Sequence, residues 1–170
     1  ELNLSPKAFI SASAVGIYGA RTTKKIFKEI DKPGTDFLAT TCAAWEKAAS
    51  KVYDPRIRNV QLRTGIVLTA TGGAPEKMIK FIKLGMGSAL GSGKQAVPWI
   101  HIDDMCDMYI HAIQDVRMNG AYNAVSPDFQ TNKSLTKALA KILNRRILLP
   151  NVPSFVLKLI FGEMAVLFLY

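Results

Sequence analysis

The sequence of 170 residues predicts an α/β fold with a largely parallel sheet. Short stretches of β-forming residues alternate with longer stretches whose apolar residues recur at helical spacing, and this alternation is typical of parallel sheets. A hydrophobic fraction of 49% and a charged fraction of 21% fit a globular chain that buries a sizeable core. The sequence contains no internal repeat and no low-complexity segment.

The boundaries of the first elements follow from turn glycines and capping residues. Asp36 is a favoured N-cap residue, and the apolar residues after it recur at helical spacing as far as Val52. Gly72-Gly73 is expected to end the second strand. The predicted elements are a strand at Ala8–Ser13, loops at 16–19 and 20–35, a helix at Asp36–Val52, a strand at Asn59–Leu68 and a helix at Pro75–Leu84.

The second part of the chain continues the alternation. Thr131 or Asn132 is expected to cap one helix, and Pro153 suits the start of another. The predicted elements are a strand at Ala96–Ile100, a helix at Asp103–Asp115, a strand at Ala121–Val125, a helix at Thr131–Leu143, a strand at Ile147–Leu149 and a helix at Pro153–Phe161.

The chain is basic, with a formal net charge of +9 from 22 Lys and Arg against 13 Asp and Glu. Such an excess fits anionic partners in general. However, Lys133, Lys137 and Lys141 recur every four residues on one face of a predicted helix, without the interleaved aromatic residues of a base-stacking surface. We therefore interpret them as a solvated helix face and expect no nucleic-acid partner.

Membrane and disulfide signals are weak. The apolar segment Phe155–Tyr170 is interrupted by Lys158 and Glu163 and is shorter than the roughly 20 residues that span a bilayer, so we expect no membrane partner. The two cysteines, Cys42 and Cys106, form no CxxC pair, and no Cys/His pattern indicates a metal site. Reduced thiols are typical of a cytoplasmic protein, which is the location that we expect.

Two glycine-rich stretches share part of a phosphate-binding pattern. Residues 85–91 carry the glycine spacing of a dinucleotide fingerprint, but they follow a predicted helix and precede a strand, the reverse of the order that this motif needs. Residues 91–94 end like a P-loop, but Gln95 stands where a Mg²⁺-binding Ser or Thr is required. We expect a flexible turn at 91–94, or else a loop that contacts substrate.

Four segments together resemble one family, at residues 10–19, 62–68, 91–95 and 98–104. They resemble the extended short-chain dehydrogenase/reductases, the group that contains the nucleotide-sugar epimerases and dehydratases. Cys42-Ala43-Ala44-Trp45-Glu46, together with 98–104, is similar to the atypical "epimerase family" subgroup, which carries a small extra C-terminal domain.

The resemblance implies a domain organisation. Residues 1–125 would be the second half of a Rossmann-type doubly wound parallel sheet, with a substrate-domain insertion at about 70–100. Residues 126–170 would begin a small C-terminal α/β substrate domain. Because the glycine-rich cofactor motif of the family precedes this half, the resemblance also implies that the chain is a fragment.

The resemblance further implies a function. It predicts an NAD(P)-dependent oxidoreductase or epimerase that acts on a sugar-nucleotide-like or small anionic substrate by hydride transfer. NADP is favoured over NAD, and the fragment alone is not expected to bind either tightly. The alternative is a non-catalytic NAD(P)-binding sensor or scaffold. A homodimer is a further expectation.

The resemblance assigns catalytic positions residue by residue. Ser13 aligns with the family serine, whereas Cys42 and Glu46 occupy the positions of the family tyrosine and lysine. A carboxylate near Cys42 disfavours its thiolate, so a buried core role for Cys42 is the favoured alternative. Tyr18 and His101 are the candidate substitute proton carriers, with packing and structural hydrogen bonding as their respective alternatives.

The remaining predicted contacts are to cofactor and substrate. Arg63 is as well suited to a structural ion pair as to the cofactor, and the lysines are as well suited to a solvated surface as to a substrate diphosphate or carboxylate. The predicted cofactor-binding residues are Ser11, Ala12, Glu46, Arg63, Gly65 and Ile66. The predicted substrate-binding residues are Met78, Lys80, Lys94 and Trp99.

Overall fold

A computed structural model of the protein describes residues 6–51, 56–69 and 72–169. The strands are β1 (Ala8–Ala14), β2 (Arg58–Thr64), β3 (Ile66–Leu68), β4 (Ala96–Val97), β5 (Trp99–His101), β6 (Gly120–Ala124) and β7 (Gln130–Thr131). The helices are α1 (Phe37–Ala49), α2 (Gly73–Lys83), α3 (Ile102–Gln114), α4 (Asn132–Ile142), α5 (Ser154–Phe161) and α6 (Val166–Leu169), with 3₁₀ helices at Val15–Tyr18 and Gly162–Ala165.

The chain divides into two compact units. The first consists of Glu1–Gly19, Ile26–Val67 and Ile100–Val125. The second consists of Ala20–Lys25, Leu68–Trp99 and Ser126–Tyr170. The assignment of residues 1–125 to a cofactor domain and 126–170 to a substrate domain stays a prediction.

The first unit is built on a parallel sheet with strand order β1-β2-β6. Both β1–β2 and β2–β6 are joined through segments that contain a helix, as parallel neighbours require. The central strand is buried because helices cover parallel sheets, and its Val60 and Leu62 are fully enclosed. The core around them includes Ile100, Met105, Ala112, Met118 and Ala124. The predicted parallel α/β fold is therefore confirmed.

A local signal fixes the start of α1. The Asp36 carboxylate accepts a hydrogen bond from the Ala39 backbone N–H at 3.0 Å, which confirms the predicted N-cap. The helix ends at Ala49, before the predicted end at Val52, and Val52 itself lies outside the described residues.

Arg58 joins β2 to the end of α3. Its guanidinium donates to the carbonyl oxygens of Ala112, Ile113, Asp115 and Met118 at 3.0–3.1 Å. Ala112 and Ile113 lie in the last turn of α3, whose carbonyls lack intrahelical partners, and Asp115 and Met118 follow the helix. One planar side chain with several donors satisfies all four carbonyls.

Three strand predictions need correction. The predicted strand Asn59–Leu68 is two strands, interrupted at Gly65, whose N–H donates to the Ala124 carbonyl at 3.1 Å. The predicted strand Ala96–Ile100 is divided at Pro98, because proline has no N–H for a ladder. Residues 147–149 form no strand in the described chain. Three residues further on, Val152 makes a parallel bridge to Leu90.

In the second unit, β4 and β7 pair antiparallel, and α4 follows with a capping box between Thr131 and Ser134. Among the described residues, no helix is long and apolar enough to cross a membrane. The cytoplasmic location expected from the cysteines stays a prediction.

The glycine-rich loop at 91–94 makes hydrogen bonds on both sides, and its expected role as a flexible turn or as a loop that contacts substrate stays a prediction. Gly91 N–H donates to the Val152 carbonyl at 2.8 Å, and Lys133 N–H at the start of α4 donates to the Gly93 carbonyl at 3.0 Å. Gly93 has a φ of 68°, and a Cβ there would lie 3.0 Å from the Lys133 Cβ. The close packing of this loop on α4 therefore requires glycine.

Candidate functional site

Three polar residues share one row across the parallel sheet of the first unit. The register pairs Ser13 of β1 with Arg63 of β2, and Arg63 with Asn123 of β6. Each lies one residue before the carboxyl end of its strand. Residues in register on parallel strands project from the same face, so their side chains meet on one side of the sheet.

Glu46 of α1 joins two members of this row. The Ser13 hydroxyl, on a residue that is 3% exposed, donates to Glu46 Oε1 at 2.7 Å. Arg63 donates through Nε to Oε1 at 2.8 Å and through Nη2 to Oε2 at 2.9 Å. The side chains of Arg63 and Glu46 are 8% and 13% exposed, so this is a buried bidentate ion pair. The structural ion pair considered for Arg63 is confirmed.

Tyr18 extends the network away from Ser13. Its hydroxyl accepts a hydrogen bond from Arg63 Nη1 at 2.9 Å and donates to Asn123 Oδ1 at 2.7 Å. The ring stacks on Phe27, with centroids 4.9 Å apart. Tyr18 is 5% exposed, which agrees with the packing alternative, and its role as a proton carrier stays a prediction.

The same network makes hydrogen bonds to Glu29, in the long loop that follows the first 3₁₀ helix. Arg63 Nη1 donates to the Glu29 carbonyl at 3.0 Å, and the Asn123 N–H donates to the Glu29 carboxylate at 2.9 Å. Sequence reasoning missed Asn123 and Glu29. The sequence signal for Asn123 was a polar residue near the end of a predicted strand. Its register with Ser13 and Arg63 is known only from the structure.

The network sets the ionisation of its charged members. Burial tends to raise the pKa of Glu46, but hydrogen bonds from Arg63 and Ser13 and the charge of Arg63 outweigh it, and the pKa lies below its ordinary value. Hydrogen bonding with Glu46 raises the pKa of Arg63 further above its ordinary range, against the opposing effect of burial. Both groups are therefore charged at neutral pH, and Glu46 is a fixed acceptor rather than a base.

Cys42 is buried beside Ile17 and Tyr18 and is 8% exposed. Burial raises the pKa of its thiol, and the negative charges of Glu46 and Asp36 raise it further. The expectation that Glu46 disfavours the thiolate is confirmed. The environment agrees with the core alternative for Cys42, and a catalytic role stays a prediction.

His101 lies outside this network. It is the exposed N-cap residue of α3, where its Nδ1 accepts a hydrogen bond from the Asp103 N–H at 3.2 Å. The Asp103 carboxylate lies 3.4 Å from the same nitrogen. Because this nitrogen accepts the hydrogen bond, it is the Asp103 N–H that orients the ring. These contacts agree with the structural alternative for His101.

The predicted cofactor-binding residues lie within β1, at and after the carboxyl end of β2, and on α1. Ser11 and Ala12 lie within β1, and Gly65 and Ile66 follow β2, with Ile66 42% exposed. A glycine next to an exposed apolar side chain, at the carboxyl end of a parallel strand, suits one face of a nicotinamide ring. Glu46 fits a ribose contact less well, because its carboxylate already accepts hydrogen bonds from Ser13 and Arg63.

The predicted substrate-binding residues lie in the second unit. Lys80 is exposed and pairs with Glu76 at 2.7 Å along α2, which agrees with the solvated-surface alternative. Met78 is half-buried on the same helix, and Lys94 is exposed. The Trp99 indole N–H donates to the Asp128 carbonyl at 3.1 Å. Their role in substrate binding stays a prediction.

The parallel sheet, with helical connections and polar side chains near the ends of its strands, defines a Rossmann-type α/β protein. Residues 2–125 match the sequence model of the NAD dependent epimerase/dehydratase family. The chain belongs to this family.

Relatives and solved structures agree with this assignment. The chain is 35% identical over 160 residues to the human epimerase family protein SDR39U1, covering 93% of this chain and 53% of that protein. It is 37% identical over 158 residues to the chloroplastic SDR39U1 homolog of Arabidopsis thaliana, covering 93% of this chain and 45% of the homolog. It therefore spans about half the length of the curated relatives it matches.

The fold matches the crystal structure of human SDR39U1 (isoform2) with NADPH at a TM-score of 0.88 and 29% identity, covering 99% of this chain and 57% of that chain. The nucleoside-diphosphate sugar epimerase from Corynebacterium glutamicum gives a TM-score of 0.73 at 32% identity, covering 94% of this chain and 36% of that chain. The match to the human structure shows that nearly all of the present chain has the same fold as that protein.

Proposed function

We propose that the chain forms the second half of an NADP-dependent oxidoreductase or epimerase that acts on a sugar-nucleotide-like or small anionic substrate. The observation that carries this proposal is the buried network of Ser13, Glu46 and Arg63 at the carboxyl end of β1 and β2. In this fold class, that end of the sheet is where dinucleotides bind. The match to a structure with NADPH supports the choice of cofactor.

A bound nicotinamide cofactor would supply the hydride chemistry, and the protein residues orient the reactants. Gly65 and Ile66 would lie against the nicotinamide. The Ser13 hydroxyl donates its hydrogen bond to Glu46, so its oxygen can accept a hydrogen bond from a substrate hydroxyl. Arg63 fixes Glu46 and thereby positions Ser13.

Calorimetric titration tests the cofactor, using the protein expressed from its complete natural reading frame. We expect NADPH to bind with measurable heat and NADH to bind more weakly. If neither nucleotide gives heat or a thermal shift, the proposal is wrong.

The catalytic role of Ser13 has a matched control in the same unit. Ser13→Ala should abolish turnover over a panel of sugar nucleotides and small carbonyl compounds. Ser50→Ala removes an exposed serine hydroxyl at the end of α1 and should leave turnover unchanged. Equal turnover by both variants would rule out the role proposed for Ser13.

A non-catalytic NAD(P)-binding sensor is the second candidate function. The observation that favours it is the state of the two residues at the family tyrosine and lysine positions. Cys42 is buried with a raised pKa, and Glu46 is fixed in an ion pair. Binding of NADPH without turnover over the whole panel would identify this function.

A further inference from the structure

The second unit carries a shallow basic concavity, widely open to solvent, at the C-terminal end of α4, with a volume of about 490 Å³. Its charged lining consists of Lys137, Lys141, Arg145 and Arg146, all exposed. Ala140 and Leu148 provide apolar lining. No acidic side chain is among the described residues that line it.

The backbone fixes where the arginine-bearing segment begins. Beyond the end of α4, Asn144 adopts the left-handed conformation with a φ of 51°. Arg145 N–H donates to the Ala140 carbonyl at 2.8 Å, and Asn144 N–H donates to the Lys141 carbonyl at 3.1 Å. This pair of bonds is a Schellman cap, which turns the chain at a defined point so that Arg145 and Arg146 follow directly.

The positive charge of the concavity is not compensated within the described part of the chain. Some basic side chains elsewhere have acidic partners, as Arg63 has Glu46 and Lys80 has Glu76. None of the four cations of the concavity forms an ion pair with a described acidic residue. The carbonyl end of α4 contributes only about half a negative charge. The local field is therefore strongly positive.

We propose that this concavity binds a multiply charged phosphate group, such as a phosphomonoester or a diphosphate. Two guanidinium groups offer planar forks that match phosphate oxygens, and two ammonium groups add point charges. The apolar side chains of Ala140 and Leu148 can contact a non-polar part of the same ligand. The concavity shares no residue with the predicted substrate-binding set, and the inference does not depend on the nicotinamide chemistry.

Such a group reaches a protein either on a soluble molecule or as the headgroup of a phosphoinositide. The second source would depart from the expectation of no membrane partner. Calorimetric titration with inorganic pyrophosphate tests the soluble source. Co-sedimentation with phosphatidylcholine vesicles, with and without phosphatidylinositol bisphosphate, tests the headgroup.

The decisive variant is R145Q/R146Q in the full chain, which neutralises two exposed side chains. We expect its affinity to fall about 25-fold, from about fivefold for each cation in contact with the phosphate. The control K47Q/K51Q removes the same charge from exposed positions on and after α1, and should change affinity by less than about twofold because neither lysine lines the concavity. Circular dichroism melts check that both variants fold.

Pyrophosphate binding that is lost in R145Q/R146Q identifies a site for soluble phosphates, and binding to phosphoinositide vesicles alone identifies a headgroup site. Binding of neither probe at low salt overturns the proposal, as does equal weakening in R145Q/R146Q and K47Q/K51Q. If the double variant does not fold, the single variants R145Q and R146Q replace it, each with an expected loss of about fivefold.

Discussion

Glu46→Gln is expected to lower the free energy of unfolding by about 3 kcal/mol. Gln has nearly the same shape as Glu, but its NH₂ group would face a donor of Arg63 where Oε2 now accepts at 2.9 Å. The Arg63 side chain is 8% exposed, so its charge would be left without compensation away from water. Breaking one partner out of a buried pair typically costs about 3–5 kcal/mol, and Gln retains part of the hydrogen bonding.

Urea unfolding followed by circular dichroism measures this loss, and a thermal scan should show a midpoint lower by roughly 6–12 °C. Glu76→Gln is the matched control, because Glu76 pairs with Lys80 at a similar distance on an exposed helix face. It should cost at most about 0.5 kcal/mol. In the double variant E46Q/R63Q the loss should be smaller than the sum of the single losses by about 2 kcal/mol. Equal losses in E46Q and E76Q, or simple additivity, would refute the reasoning.

Three further predictions concern pH, thiol chemistry and the end of α3. Because the folded-state pKa of Glu46 is depressed, its stabilising contribution is complete above the ordinary glutamate value of 4.5 and is lost as the pH falls through the folded value. The difference in unfolding free energy between wild type and E46Q should therefore shrink below about pH 4.5 in acid-titrated urea melts; a constant difference would contradict the assignment. A disulfide reagent at pH 8 should label exposed Cys106 quickly and buried Cys42 only on unfolding, and Cys106→Ser should remove the fast phase; rapid labelling of C106S would show that Cys42 is accessible. Arg58→Gln should destabilise the protein by about 2 kcal/mol through loss of its bonds to the carbonyls at and after the end of α3, measured by urea unfolding; an unchanged midpoint would mean that water replaces those bonds at no cost.

The sequence predicted the features that depend on local pattern. Hydrophobic periodicity located the helices to within a few residues, and Asp36 was recognised as a cap because a capping bond joins residues that are close in sequence. The motifs around Ser13 and 98–104 led to the family, which the match over residues 2–125 confirms. The effect of Glu46 on the Cys42 thiol also followed from i, i+4 spacing alone.

Predictions of secondary structure did not hold where hydrogen-bond partners are distant in sequence. Residues 147–149 have strand-forming side chains, but the bridge to Leu90 forms at Val152. The partners of the 91–94 loop, in α4 and at Val152, are also remote along the chain, so its sequence pattern did not predict their hydrogen bonds. A strand or an ordered loop exists only where a partner offers its backbone groups in register.

The sequence alone therefore determined the parallel α/β class and the family. It also pointed to most residues of the polar network near the strand ends, namely Ser13, Tyr18, Glu46 and Arg63. The tertiary structure decided how these residues are used. In the structure, Glu46 forms an ion pair with Arg63 and accepts a hydrogen bond from the Ser13 hydroxyl. Asn123 joins the same network through Tyr18. The physical reason is that sheet register and helix packing bring together side chains from separate elements, and a buried charge is stable only when such a partner is present.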